Sequence, residues 1–133
     1  MIGDELRVGG PAESLGPAVE RWLRSLARDR LSTATATIAG EAGVTVRSVS
    51  VGDPVSRWGS CSSSGAIRFS WRLVLAPPEV LRFVVAHEVA HRLHMDHSPA
   101  FKAAEARLFG GPVVAARSEL RRLSPSLRAV GRG

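Results

Sequence analysis

EVLRFVVAHEVAHRLHMDH, residues Glu79 to His97, decides the reading of this chain. Between Leu81 and Ala90 it is apolar nearly all round, the pattern of a helix enclosed by the fold. The spacing predicts a helix from Glu79 to about His94, started by Pro77-Pro78. Inside it stands His87-Glu88-Val89-Ala90-His91. Residues i and i+4 lie one turn apart on one helix face, so both imidazoles can reach one metal ion. Glu88, displaced by about 100° around the axis, misses the ion but can reach a water on it. Zinc lowers the pKa of such a water towards about 7, and a carboxylate can then take its proton. Without a metal, two histidines and a glutamate would be unpaired polar groups in a core.

All four histidines of the chain, His87, His91, His94 and His97, fall inside this one stretch. A helix ending near His94 and followed by a turn swings His97 back towards the same ion, as a third ligand. A catalytic zinc takes three protein ligands and keeps one position open for water. A fourth imidazole would close that position. His94 therefore reads as a helix-end residue favoured by the dipole, or as a hydrogen-bonding neighbour of a ligand. The expectation is one Zn2+ per chain on His87, His91 and His97, with Glu88 as general base.

Working outward, Ser98-Pro99 reads as an N-cap followed by proline at the first helical position. That helix runs to about Phe109 and stops at Gly110-Gly111-Pro112. Val113 to Leu123 is a last helix, and Ser124 to Gly133 reads as a mobile basic tail. Upstream, Ala66 to Leu73 alternates as a strand, with Ile67, Phe69, Trp71 and Leu73 on one face and Arg68, Ser70 and Arg72 on the other. Ser62 to Gly65 is a hairpin loop after a strand from Val55 to Cys61. Val44 to Val51 is a further strand whose valines change phase, which a bulge near Arg47-Ser48 would reconcile. Leu15, Val19, Trp22, Leu23 and Leu26 recur at helical spacing from Ser14 to about Arg30. Leu31 to Ala42 is a continuation of that helix or a second one, ending near Gly43.

These elements make a small α+β domain, a short and mostly antiparallel sheet packed on the histidine-bearing helix with additional helices around it. It divides into N-terminal helices (14–43), a catalytic core (44–109), a C-terminal helix (112–123) and the tail (124–133).

Arg57-Trp58-Gly59-Ser60-Cys61, Trp71-Arg72-Leu73 and HEVAHRLHMDHSPAF (His87 to Phe101), in that order, resemble the YgjP-like metallopeptidase domain family. The last segment is also similar to SprT-like and WLM zinc proteases. The resemblance covers roughly Thr45 to Leu108 and implies a zincin-like fold. It matches His87, His91 and His97 to the family's metal ligands and Glu88 to its catalytic glutamate. The chain departs from the family in its short segment before the first helix and in Lys102, which stands where the family has an aromatic residue. The resemblance implies a zinc-dependent metallopeptidase acting on a peptide or protein, with an extended substrate held at a strand edge. The alternative it carries is nucleoside triphosphate (UTP) pyrophosphatase activity at the same metal, with Arg57, Arg72 or Arg92 steadying phosphate charge.

Composition sets the frame. The 133 residues are 44% hydrophobic and 23% charged, an ordinary balance for one globular domain. No window reaches the roughly 20 apolar residues of a membrane helix. Met1 to Gly10 lacks the apolar run of a signal peptide. One cysteine, Cys61, excludes an internal disulfide, and the expected location is cytoplasmic. Cys61 reads as a buried structural thiol rather than a ligand. The net charge of +6 admits a nucleic-acid partner. That reading is not favoured, because the arginines are spread along the chain and aromatics that stack bases are few. Trp58 and Trp71 read as packing residues before substrate platforms. Arg57 and Arg72 each could pair with an acid, line the cleft as a clamp for carboxylate or phosphate, or be solvated, the commonest fate of an arginine. Arg72, one position out of phase with the apolar set, is the one with a route to the cleft.

Overall fold

Leucine and alanine at helical spacing run on past Arg30, so the stretch left open between one helix and two is one helix. α1 spans Pro17–Ala42, with Pro17 in its first turn. Its buried stripe is Leu23, Ala27, Leu31, Thr35, Ile38 and Ala39. It ends at Gly43, whose φ of 69° turns its amide back onto the carbonyls of Ala39 and Gly40. The computed structural model describes residues 15–132. The reading of Met1 to Gly10 lies outside them.

Three short strands follow: β1 (Ser48–Gly52), β2 (Gly59–Cys61) and β3 (Ala66–Ser70). The valine phase change needs no bulge, since Val44 and Val46 precede β1 while Val49 and Val51 lie in it. The sheet order is β1-β3-β2. β2 and β3 form the expected antiparallel hairpin, but β1 pairs with β3 in parallel from Ser48↔Ala66 to Gly52↔Ser70. The sheet is therefore mixed rather than mostly antiparallel. The hairpin inserts β3 between the other two strands, and a strand that reverses β2 runs along β1. β2 is left as an edge strand.

The clean alternation from Ala66 holds only to Ser70. The Ser70 hydroxyl accepts from the Arg72 amide and starts a 3-10 turn over Trp71–Leu75. In that turn Trp71, Arg72, Leu73 and Val74 are all buried, so Arg72 does not face the cleft. Its guanidinium donates to Asp53 at 2.8 and 3.1 Å and to the Leu127 carbonyl at 3.0 Å, and lies 4.6 Å over the Trp71 ring. The guanidinium beside it holds the Asp53 carboxyl down at about 2, against the cost of burial. Arg72→Met should therefore cost at least about 1–3 kcal/mol of stability, the penalty for leaving buried acceptors unmet. Denaturant unfolding checks this; an unchanged midpoint would contradict it.

α2 spans Pro78–Ala90 and buries Val80, Phe83, Val84, Val85, Ala86, Val89 and Ala90. It is the central element, packed against α1 and the sheet on one side. On its other side lie α3 (Pro99–Phe109) and α4 (Val113–Ala129). α4 runs past the helix end expected at Leu123 and takes in residues 124–129 of the segment read as a tail. It continues through Pro125, because the carbonyl of Leu127 is held by Arg72 and Leu127 itself is buried. Arg128 lies 4.1 Å over the Trp58 ring, and Arg132 pairs with Asp53 at 2.7 Å. No helix among the described residues is long and apolar enough to cross a membrane.

Candidate metal centre

α2 stops at Ala90, four residues short of the expected end. His91 caps it, and tight turns follow, with the amides of Arg92 and Leu93 on the carbonyls of Val89 and Ala90. The early stop folds the chain back so that residue 97 returns towards residues 87 and 91. The Ser98 hydroxyl then accepts from the Phe101 amide at 3.2 Å and starts α3, which fixes the residue beside it, His97.

His87, His91 and His97 converge, each offering a ring nitrogen within 4.8 Å of the others. Phe101, fully buried, is the floor under all three. His91 stacks on it at 4.4 Å between centroids, and His87 and His97 meet it edge-on at 5.1 and 5.0 Å. The Nδ1 of His87 is taken by Glu105 at 2.6 Å, and the Nδ1 of His91 by the His94 carbonyl at 3.1 Å. That leaves Nε2 as the free nitrogen of both rings. Burial pushes the His87 pKa down, which favours the neutral ring a metal needs, while Glu105 opposes the shift. Three nitrogen donors on a rigid aromatic floor fit a divalent ion of the zinc class. His94 stands outside the cluster with an exposed side chain, and its backbone carbonyl does the bonding.

Glu88 is buried, 5% exposed, yet lines the cavity that the three histidines share. Burial, opposed by the Arg57 charge, raises its carboxyl to about 7. Gly59 of β2 presses against it. A Cβ there would sit 2.9 Å from Oε2 and 3.0 Å from Cγ of Glu88. Gly59→Ala should therefore displace the Glu88 carboxylate and cut turnover by about 10²-fold, the scale of a 1 Å misplacement. Metal content should be unchanged. Turnover within twofold of the parent would show that Glu88 tolerates the shift.

The cavity, about 330 Å³, is lined by Arg57, Gly59, Ser60 and Cys61 on the sheet side and by the exposed Met95. A second, more apolar cavity of about 240 Å³ continues past Glu88 between Trp58, Phe83, Val84 and Leu120. Cys61 is half-buried rather than buried and lines the metal cavity. Burial raises its thiol pKa, and it stands outside the histidine cluster. Trp58 packs, with its indole N–H on Ser124 Oγ at 3.2 Å, but also walls the second cavity. Of the three arginines considered for phosphate, only Arg57 faces the site. Arg72 is buried under α4, and Arg92 holds the carbonyls of Thr45 and Ser63 at 2.9 and 3.1 Å.

Glu105 was not singled out by motif reading. Its signal was position: on α3 it shares a buried stripe with Phe101, Ala104 and Leu108, where a charge needs a reason.

The family model of the YgjP-like metallopeptidase domain matches residues 4–123. No curated protein and no solved structure matched the chain in the parallel comparisons.

Proposed function

The chain belongs to the YgjP-like metallopeptidase domain family, a metal-dependent hydrolase family, and on that premise we propose that it is a zinc peptidase with Glu88 as its general base. The observation that carries the reading is the edge of β2, unpaired among the described residues, beside the three histidines. The Ser70 amide bonds the Trp58 carbonyl at 2.9 Å, and the Ser62 amide bonds the Ala66 carbonyl at 2.9 Å. With Ser60 opposite Arg68, residues 58, 60 and 62 turn their main-chain groups towards β3. Gly59 and Cys61 therefore turn theirs outward, along the cavity that holds Glu88. An extended peptide can add to that edge as a further strand, with its scissile bond carried to the metal.

His87, His91 and His97 would hold the zinc ion, which would supply Lewis-acid polarisation of the scissile carbonyl and a lower pKa for the attacking water. The protein supplies the rest. Gly59 and Cys61 align the peptide. Glu88 takes the proton of the attacking water on its carboxylate and returns it to the departing amine nitrogen. Phe101, the Glu105 contact and the His94 carbonyl keep the imidazoles aimed. The second cavity gives one flank of Glu88 a largely apolar surrounding.

The nucleotide alternative rests on Arg57, which lines both cavities and has no ion pair among the described residues. One free arginine is thin neutralisation for a triphosphate, and this favours the peptide. Zinc-loaded protein offered an unstructured casein-type substrate and UTP, at low and high salt, tests the choice. Peptide cleavage that depends weakly on salt supports the proposal. Pyrophosphate release from UTP that falls steeply with salt, with no peptide cleaved, overturns it.

A further inference from the structure

We propose that Glu105 is a positioning residue of the metal centre, holding His87 in the tautomer and orientation that bind the ion, with Arg117 of α4 as its clamp. The inference rests on the zinc reading of the histidine cluster. Glu105 is 1% exposed, and its Oε2 lies 2.6 Å from His87 Nδ1. Arg117 Nη2 donates to both carboxylate oxygens, at 3.2 and 3.1 Å. A carboxylate taken out of water is costly unless its partners are well placed.

Two partners could justify it there. The Arg117 side chain is 43% exposed, and ion pairs open to solvent contribute little. Such a pair is a weak reason to bury a carboxylate beside Phe101, Ala104 and Leu108. The His87 contact is the shorter and better enclosed of the two. It fixes the proton on Nδ1, where the ring N–H donates to Glu105, and leaves the Nε2 lone pair for the ion. Arg117 Nη2 spans both carboxylate oxygens, including the one facing His87, and so restrains rotation of the group. Its guanidinium also lies 5.2 Å over Phe83, one turn before His87 on α2. The third and fourth helices thereby become parts of the site, although neither α3 nor α4 carries a ligand.

A plain strut between α3 and α4 would use the same Glu105–Arg117 pair, so the test separates the roles. Zinc affinity is measured by competition with a chromophoric chelator, alongside thermal unfolding of the metal-free proteins. Glu105→Ala should weaken zinc binding by about 10–100-fold, the usual scale for losing such a partner. Glu105→Gln, which keeps an acceptor without the charge, should fall between Ala and wild type. Arg117→Met, which cuts the strut but leaves the His87 contact, should lose less affinity than either. The cobalt-substituted Ala variant should also show an altered visible absorption band, as His87 is freed to turn. If Glu105→Ala fails to fold, the near-isosteric Gln variant decides the matter alone. Wild-type zinc affinity in the Glu105 variants, with metal-free stability lowered as much as in Arg117→Met, would overturn the proposal. A wild-type protein with no zinc affinity would overturn the metal centre itself, and this inference with it.

Discussion

Glu88→Gln should keep one zinc per chain and lose about 10²–10⁴ in rate, the usual contribution of a positioned general base. The amide fills nearly the same volume, so Gly59 still fits against it and the α2 helix is undisturbed. What disappears is the ability to accept a proton at neutral pH. Burial and two charged neighbours act on this carboxyl. Burial raises it, Arg57 lowers it and Glu105 raises it, for a net value of about 7. A carboxyl so placed is a strong enough base to take a water proton and weak enough to give it back. Steady-state turnover, with metal content verified in the same sample, reads the result. Retained turnover would remove Glu88 from the chemistry.

His97→Ala should weaken zinc binding by more than the roughly 10–100-fold that an outer hydrogen-bond partner controls. His97 is the exposed member of the cluster and comes from the turn before α3 rather than from α2. Its placement depends on the early end of α2 and on the Ser98 cap, and neither needs the imidazole. The variant should thus fold as the parent does. The effect would then be read as a loss of ligand, by chelator competition against the folded protein. Full metal occupancy under that competition would show that two histidines suffice.

The helical half of the site was legible because helix geometry is local. The i, i+4 spacing of His87 and His91 and the Ser98-Pro99 start of α3 both reflect backbone rules that act within one turn. The role of Arg72 stayed open because strand alternation gives way after Ser70 to a 3-10 turn, where consecutive side chains no longer alternate faces. The fate of its guanidinium depends on Asp53 and on the Leu127 carbonyl, nineteen and fifty-five residues away. The same long-range contact engages C-terminal residues that composition alone made look like a tail. The parallel β1–β3 pairing was likewise a matter of where the hairpin docks, which no local pattern records. Glu105 lay between these cases. The sequence marked it as a charge on a buried stripe, but its partner, His87, is on another helix.

The measurement that bears most directly on the central claim is mass spectrometry of an unstructured protein substrate after incubation with zinc-loaded protein. Glu88→Gln, metal-free protein and UTP serve as parallel arms. The account predicts new peptide termini in the wild-type zinc sample alone, with UTP left intact. Pyrophosphate released from UTP, lost in Glu88→Gln, with every peptide bond uncut, would contradict it.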